Sequence, residues 1–100
     1  MDAPEISHAE KRHRYEIHLG REVIGQSRYR DSGDQRIFLH TEVEPDYQGH
    51  GLATQLIEWS LADTRASGKR IVAQCPTVAA YVARHHEYDD ILDTTDVAPL

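Results

Sequence analysis

The sequence predicts an α+β fold: one domain with a small mixed sheet and two helices. Three observations lead there. Residues 14–43 alternate apolar and polar side chains in three runs joined by short links, residues 51–67 switch to the helical period, and a short apolar run at 69–74 follows at crossover distance.

Taken in order, residues 1–13 are polar and unpatterned and read as a solvated lead-in, with a locally basic cluster at Lys11-Arg12-His13-Arg14. Tyr15, Ile17 and Leu19 alternate with Glu16 and His18, the period of a half-buried strand. Gly20-Arg21 is a tight reversal, residues 22–30 form a second strand, and Asp31-Ser32-Gly33-Asp34 has turn chemistry. The third strand, Arg36 to Val43, places Ile37, Leu39, Thr41 and Val43 on one face and Phe38, His40 and Glu42 on the other. Short links make the three an antiparallel meander. Leu52, Ala53, Leu56, Ile57, Ser60 and Leu61 then form a helical core stripe with Trp59 at its edge, and Gly68 is the stop. Residues 69–74 become a strand parallel to the third one, and Pro76 opens a second helix running to about His86. The domain is placed at residues 8–96, and the acidic tail from Glu87 is read as solvated.

Composition narrows the function. One hundred residues allow one core. Hydrophobic content of 39% and a mean hydropathy of −0.64 describe a soluble globular chain, without the ~20-residue apolar run of a membrane span. The N-terminus lacks the apolar centre of a signal peptide. A single cysteine cannot form an internal disulfide, so a cytoplasmic setting is expected. A net charge of −6 argues against nucleic acid as the main partner. His85 and His86 beside Asp89, Asp90, Asp93 and Asp96 invite a metal reading, but adjacent histidines at a helix end diverge, and no metal is expected.

The informative stretch is Val43 to Ala53, VEPDYQGHGLA: a strand end, a turn and the first turn of a helix. Gly49 and Gly51 permit positive φ and leave no Cβ in front of the main chain. A helix start offers unpaired N–H groups and partial positive charge, which together favour a phosphate. The dinucleotide fingerprint fits poorly, because Gly49-His50-Gly51 lacks the third glycine and the acid about twenty positions on. The nucleotide-triphosphate P-loop fails for want of a Gly-Lys-Ser/Thr.

Gln48-x-x-Gly51-x-Ala53 does match a pattern: it resembles the Gln/Arg-x-x-Gly-x-Gly/Ala motif of the GNAT superfamily of N-acetyltransferases. His40-Thr41-Glu42-Val43 before the loop, Cys75-Pro76 after the next strand and the closing YVARHHEYDDIL extend the likeness over about residues 14–92. The whole resembles the small single-domain GNAT-like proteins. That resemblance implies acetyl-CoA as cosubstrate, with its pyrophosphate on Gln48, Gly49, His50, Gly51, Leu52 and Ala53. It implies a pantetheine arm beside Glu42 and Val43, where the third strand and residues 69–74 splay apart. Cys75, at a helix start that favours the thiolate, is a nucleophile, a polar wall or a packing residue. His40 and Glu42 are candidate bases, Glu42 being equally an ordinary strand carboxylate. Tyr81 is a candidate proton donor to the leaving thiolate, but it lacks the usual following Gly-Phe and reads as readily as packing. The acceptor, an amine, thiol or protein side chain, is not legible, and two helices that shape its pocket in larger members have no counterpart between Leu19 and Glu22. The alternative is a non-catalytic acetyl-CoA-binding or protein-interaction module.

Overall fold

The structure, a computed structural model, describes residues 3–93. Four antiparallel strands, β1 (Glu5–Ala9), β2 (Arg14–Leu19), β3 (Glu22–Ser32) and β4 (Gln35–Val43), lead into helix α1 (Leu52–Ala66). Strand β5 (Arg70–Ala73), helix α2 (Pro76–Arg84) and the two-residue β6 (Leu92–Asp93) follow. The six strands lie in chain order, with β4, β5 and β6 parallel to one another. No helix among the described residues is long and apolar enough to cross a membrane.

The meander and the parallel crossover are as expected, but the lead-in is not. Glu5–Ala9 is an edge strand paired in register with residues 14–18, and Glu10–Arg12 is a 3₁₀ turn closed by His13 at φ 53°. Its local pattern is weak because only Ile6 is plainly apolar; what holds it is contact across the fold. His8 stacks on Tyr15 at 4.3 Å and faces Asp63 of α1 at 3.4 Å. The link between the first two strands is therefore residues 10–13, not the hairpin at Gly20. The tail differs too. A 3₁₀ segment (His86–Ile91) buries Tyr88, Arg65 holds Asp90 at 2.8 Å, and Asp93 pairs with Arg70 at 2.7 Å. Asp96 and the rest of 94–100 lie outside the described residues.

The face assignment of β4 also changes. Arg28 pairs with His40 and Tyr29 with Phe38, so Leu39 is an extra residue, a β-bulge. The bulge reverses the alternation midway. Phe38, expected on the opposite face, shares the core face with Val43, while Leu39, grouped with Val43 by simple period two, is 38% exposed. A second bulge puts Ile24 in the core, and Gly25 beside it is forced: a Cβ there would meet Glu42 O and Ile17 Cγ2 at 2.9 Å.

Both helices bury their apolar stripes in one cluster with Tyr15, Ile17, Phe38 and Ile71, so both cover the same face of the sheet. Right-handed crossovers that advance in one direction along a sheet require this. Ser60 and Thr64 sit fully buried on α1 because their hydroxyls donate to the carbonyls of Leu56 and Ser60, four residues back. Arg36, 3% exposed, lies over the Tyr29 ring at 4.2 Å and donates to Asp31 and to the Tyr15 hydroxyl. Burial opposes its charge, but the hydrogen bond to Asp31 and the neighbouring phenols prevail and strengthen the guanidinium's hold on its proton.

Candidate functional site

The site begins where two parallel strands part. The β4–β5 ladder runs from Gln35 opposite Arg70 to Phe38 opposite Ala73. The N–H groups of Gln74 and Cys75 then both donate to the Phe38 carbonyl, at 3.1 and 2.8 Å, and pairing stops. Beyond that point β4 stays paired with β3 alone, and its other edge faces an opening. The N–H of Glu44 donates to Ile24 of β3 at 2.8 Å, so by alternation the polar groups of Val43 face the opening.

The connection from β4 to α1 closes one end of that opening. Pro45–Tyr47 makes a 3₁₀ turn, and Gln48 folds back so that its side-chain amide donates to the Val43 carbonyl at 2.9 Å. Gln48 thus ties the loop to the strand, and it is the main chain that is presented outward. Gly49 and Gly51 have φ of +82° and +73°, and a Cβ on either would meet nothing within 4 Å. They are glycines for conformation, with free space in front. Gly51 caps α1 without any side-chain hydrogen bond, no acid occupies the first turn, and the first helical bond is Gln55 N–H to Gly51 O at 3.1 Å. The N–H groups of Leu52, Ala53 and Thr54 therefore have no partner within the helix. Thr54 extends this set by one beyond the motif. His50 is exposed beside them, and a recess of about 200 Å³ bordered by Thr54, Tyr81, Arg84 and His85 adjoins the same turn.

Cys75 stands at the N-cap of α2, at the end of β5 beside the opening, with Pro76 at the first helical position. Its sulfur turns inward: the residue is 1% exposed, and Sγ lies 3.5 Å from the Thr41 hydroxyl, which is 2.9 Å from that of Ser27. His40 and Glu42 project from the opposite face of β4. There Glu42 accepts a hydrogen bond from Gln26 at 2.7 Å and faces His40 Nε2 at 3.4 Å. The Gln26 bond, then the His40 bond, hold the Glu42 carboxyl below its usual range, so it is a carboxylate at neutral pH. Tyr81 packs on α2 against His85, with ring centroids 4.1 Å apart, and its hydroxyl reaches Glu87 at 3.4 Å. Burial, followed by the charges of Glu58 and Glu87, pushes the phenol up to about 12, which keeps it protonated.

The expected residues thus fall into three groups: the loop amides, Cys75 with Thr41 on the helix-covered face, and His40 with Glu42 on the bare face. Among the described residues no hydrogen bond joins the His40–Glu42 pair to Cys75 or Tyr81. Gln26, Thr41 and Thr54 were not foreseen. Gln26 could be found only from its register opposite Glu42, which a bulge conceals. Among the described residues no group of three or more His, Cys, Asp or Glu side chains is arranged to hold a metal; His86 instead faces Asp89 at 3.1 Å.

Comparison with known proteins agrees with this geometry. The solution structure of a GCN5-like protein from Staphylococcus aureus superimposes with a TM-score of 0.69 at 19% identity, covering 94% of this chain and 92% of that one. The ribosomal-protein-alanine N-acetyltransferase of Brucella melitensis gives 0.57 at 20% identity, over 87% of this chain and 67% of that one. A GNAT-family protein from Desulfovibrio desulfuricans gives 0.55 at 18% identity, over 73% and 51% respectively. No curated protein matches the sequence significantly. At these identities the structures speak for the fold; the sequence profile of the GCN5-related N-acetyl-transferases, which matches residues 14–91, speaks for the family. The chain belongs to the GCN5-related N-acetyltransferase family.

Proposed function

We propose that this protein transfers the acetyl group of acetyl-CoA to an amine. The observation that carries the reading is the row of uncapped amides at Leu52, Ala53 and Thr54 set beside the parted edge of β4. Those amides, preceded by two glycines with open space in front, suit a pyrophosphate. The exposed edge of β4 at Thr41 to Val43 suits a pantetheine arm, which carries amide groups able to pair with a strand, and leads the thioester toward Cys75.

Acetyl-CoA supplies an activated acyl carbon. The amine nitrogen attacks it, a C–N bond forms, the C–S bond breaks, and the amine's proton must be removed. Glu42, ionised and joined to His40 on the bare face, is the base for that proton, directly or through His40. The departing sulfur takes up a proton as CoA thiol, and the protonated Tyr81 phenol is the donor on the helix side. At 1% exposure, Cys75 is better suited to line the thioester site than to accept the acetyl group, which favours direct attack by the acceptor. The single unpaired cysteine suits a reducing compartment such as the cytoplasm.

The test has two readouts. Calorimetry should show acetyl-CoA binding, and release of free CoA should depend on protein and amine. Glu42→Gln should keep the binding and lower turnover by roughly 10²-fold or more. Absence of acetyl-CoA binding would sink the whole reading, whereas binding without turnover by any amine would leave a non-catalytic binding module. Intact-mass analysis after incubation with acetyl-CoA should show no acetylated Cys75; an acetyl group that vanishes in Cys75→Ala would instead establish it as nucleophile.

A further inference from the structure

The face of the sheet that carries no helix among the described residues bears an ordered charge pattern, of which the transfer reaction uses only His40 and Glu42. Strand register sets its rungs. Arg14, Arg28 and His40 are neighbours across β2, β3 and β4, and Glu16, Gln26 and Glu42 form the next rung. Two residues of strand separate the rungs, about 7 Å at the usual rise. Arg14 is already spent on Glu16 at 2.7 Å, with Arg12 adding to the same carboxylate at 3.7 Å. Arg28 is different. It is exposed, and among the described residues no acid pairs with it, although the chain as a whole is acidic at −6. It stands directly across from His40, one rung from Glu42. On the other side of Glu42 the polarity reverses: a depression of about 360 Å³ is bordered by Gln26, Glu42, Val43 and Glu44, with no cationic residue in its lining.

On its helix side the opening between β4 and β5 is walled by the core residues Cys75, Val78 and Tyr81, which leaves that side to the thioester. An acceptor therefore approaches from the bare face and meets this pattern. We infer that the acceptor is a small zwitterion of the amino-acid kind, its amine on the Glu42 rung and its own carboxylate on the Arg28 guanidinium. The inference rests on the acetyltransferase reading and deepens it. A carboxylate matches the forked donors of arginine, which bind it in two parallel hydrogen bonds. The spacing of one rung, shortened by the reach of the arginine, spans an α- or β-amino acid. A polyamine would instead bring a second cation against Arg28.

The experiment compares glycine with glycinamide as acceptors, following release of CoA by wild type and by Arg28→Gln. The wild type should favour glycine, and the ratio of the two kcat/KM values should shift toward the amide by roughly tenfold or more in Arg28→Gln, the usual weight of a charged hydrogen-bonded pair. Comparing the ratio between the two proteins cancels the difference in basicity between the two amines. Acetyl-CoA affinity measured by calorimetry should not change, which separates this site from the loop amides. An unchanged ratio overturns the inference, as does a preference for an acidic peptide over every free amino acid. If neither of these two amines is turned over although acetyl-CoA binds, binding is read directly. N-acetylglycine titrated into ¹⁵N-labelled protein then decides the site: shifts at Gln26, Arg28, His40 and Glu42 that are lost in Arg28→Gln sustain it, and none overturns it.

Discussion

Placing a carboxylate in the first turn of α1 should strengthen the helix and weaken CoA binding together. Thr54 is the third residue of that helix and exposed, its N–H is unpaired within the helix, and no acid lies nearby in the turn. Thr54→Glu therefore adds a negative charge at the positive end of the dipole, worth about 0.3–1 kcal/mol of added stability. The same charge would stand about 6 Å from a pyrophosphate on the amides. At that distance two unit charges repel by about 0.7–2.8 kcal/mol as the effective dielectric falls from 80 to 20. Screening at 0.15 M salt, with a Debye length of about 8 Å, removes part of this. A net loss of about 1–2 kcal/mol, roughly 5- to 30-fold in Kd, is expected. Titration calorimetry with CoA and urea unfolding of the free protein measure the two quantities, with Thr54→Gln as the uncharged control. A Thr54→Glu protein that is no less stable and binds CoA as tightly as the control at low salt would refute the assignment of the anion to this helix end.

Three further outcomes are expected. Gly25→Ala should destabilise by about 1–3 kcal/mol in denaturant unfolding, because its Cβ meets the Glu42 carbonyl and the Ile17 side chain at 2.9 Å; an unaffected midpoint would contradict that close approach. Arg36→Ala should cost about 3 kcal/mol, the low end for a broken buried pair, since the Arg36 side chain is 4% and that of Asp31 32% exposed; a change below about 1 kcal/mol in the same assay would count against the network. His8 has its pKa lowered by burial and by the Arg36 charge, against the opposing pull of Asp63, Glu10 and Asp31, so the unfolded chain binds its proton more readily. Its contribution to stability is complete above the unfolded value of 6.5 and is lost as pH falls from there to the lower folded value; a His8→Phe variant with an unaltered stability profile across that window would exclude it.

Local chemistry accounts for what was legible. Alternation between Tyr15 and Val43 outside the bulges at Ile24 and Leu39, the breadth of the α1 stripe, Pro76 at a helix start and the glycines of the loop are dictated by neighbours in sequence, so they can be read from it. Glu5–Ala9 could not, because a strand with one clear apolar side chain is recruited by Tyr15, Tyr29 and Asp63 from elsewhere. The tail after Glu87 was misread for the same reason: Arg65 and Arg70 hold its acids, and neither is near in sequence.

By itself, then, the sequence determined the period of each main element, the order of the strands from β2 to β5 and the uncapped start of α1. Each of these follows from steric and hydrogen-bonding limits within a few residues. Only the tertiary structure decided which side chains share a site. Period two already separated Thr41 from His40 and Glu42, but the one-residue bulge at Leu39 sets Phe38 on the same core face as Thr41, beside Cys75, because an extra residue in one strand reverses its alternation. The pairing of Glu42 with Gln26 and the place of Arg28 opposite His40 follow from that same register, which is fixed between strands and so is written in no single stretch of chain.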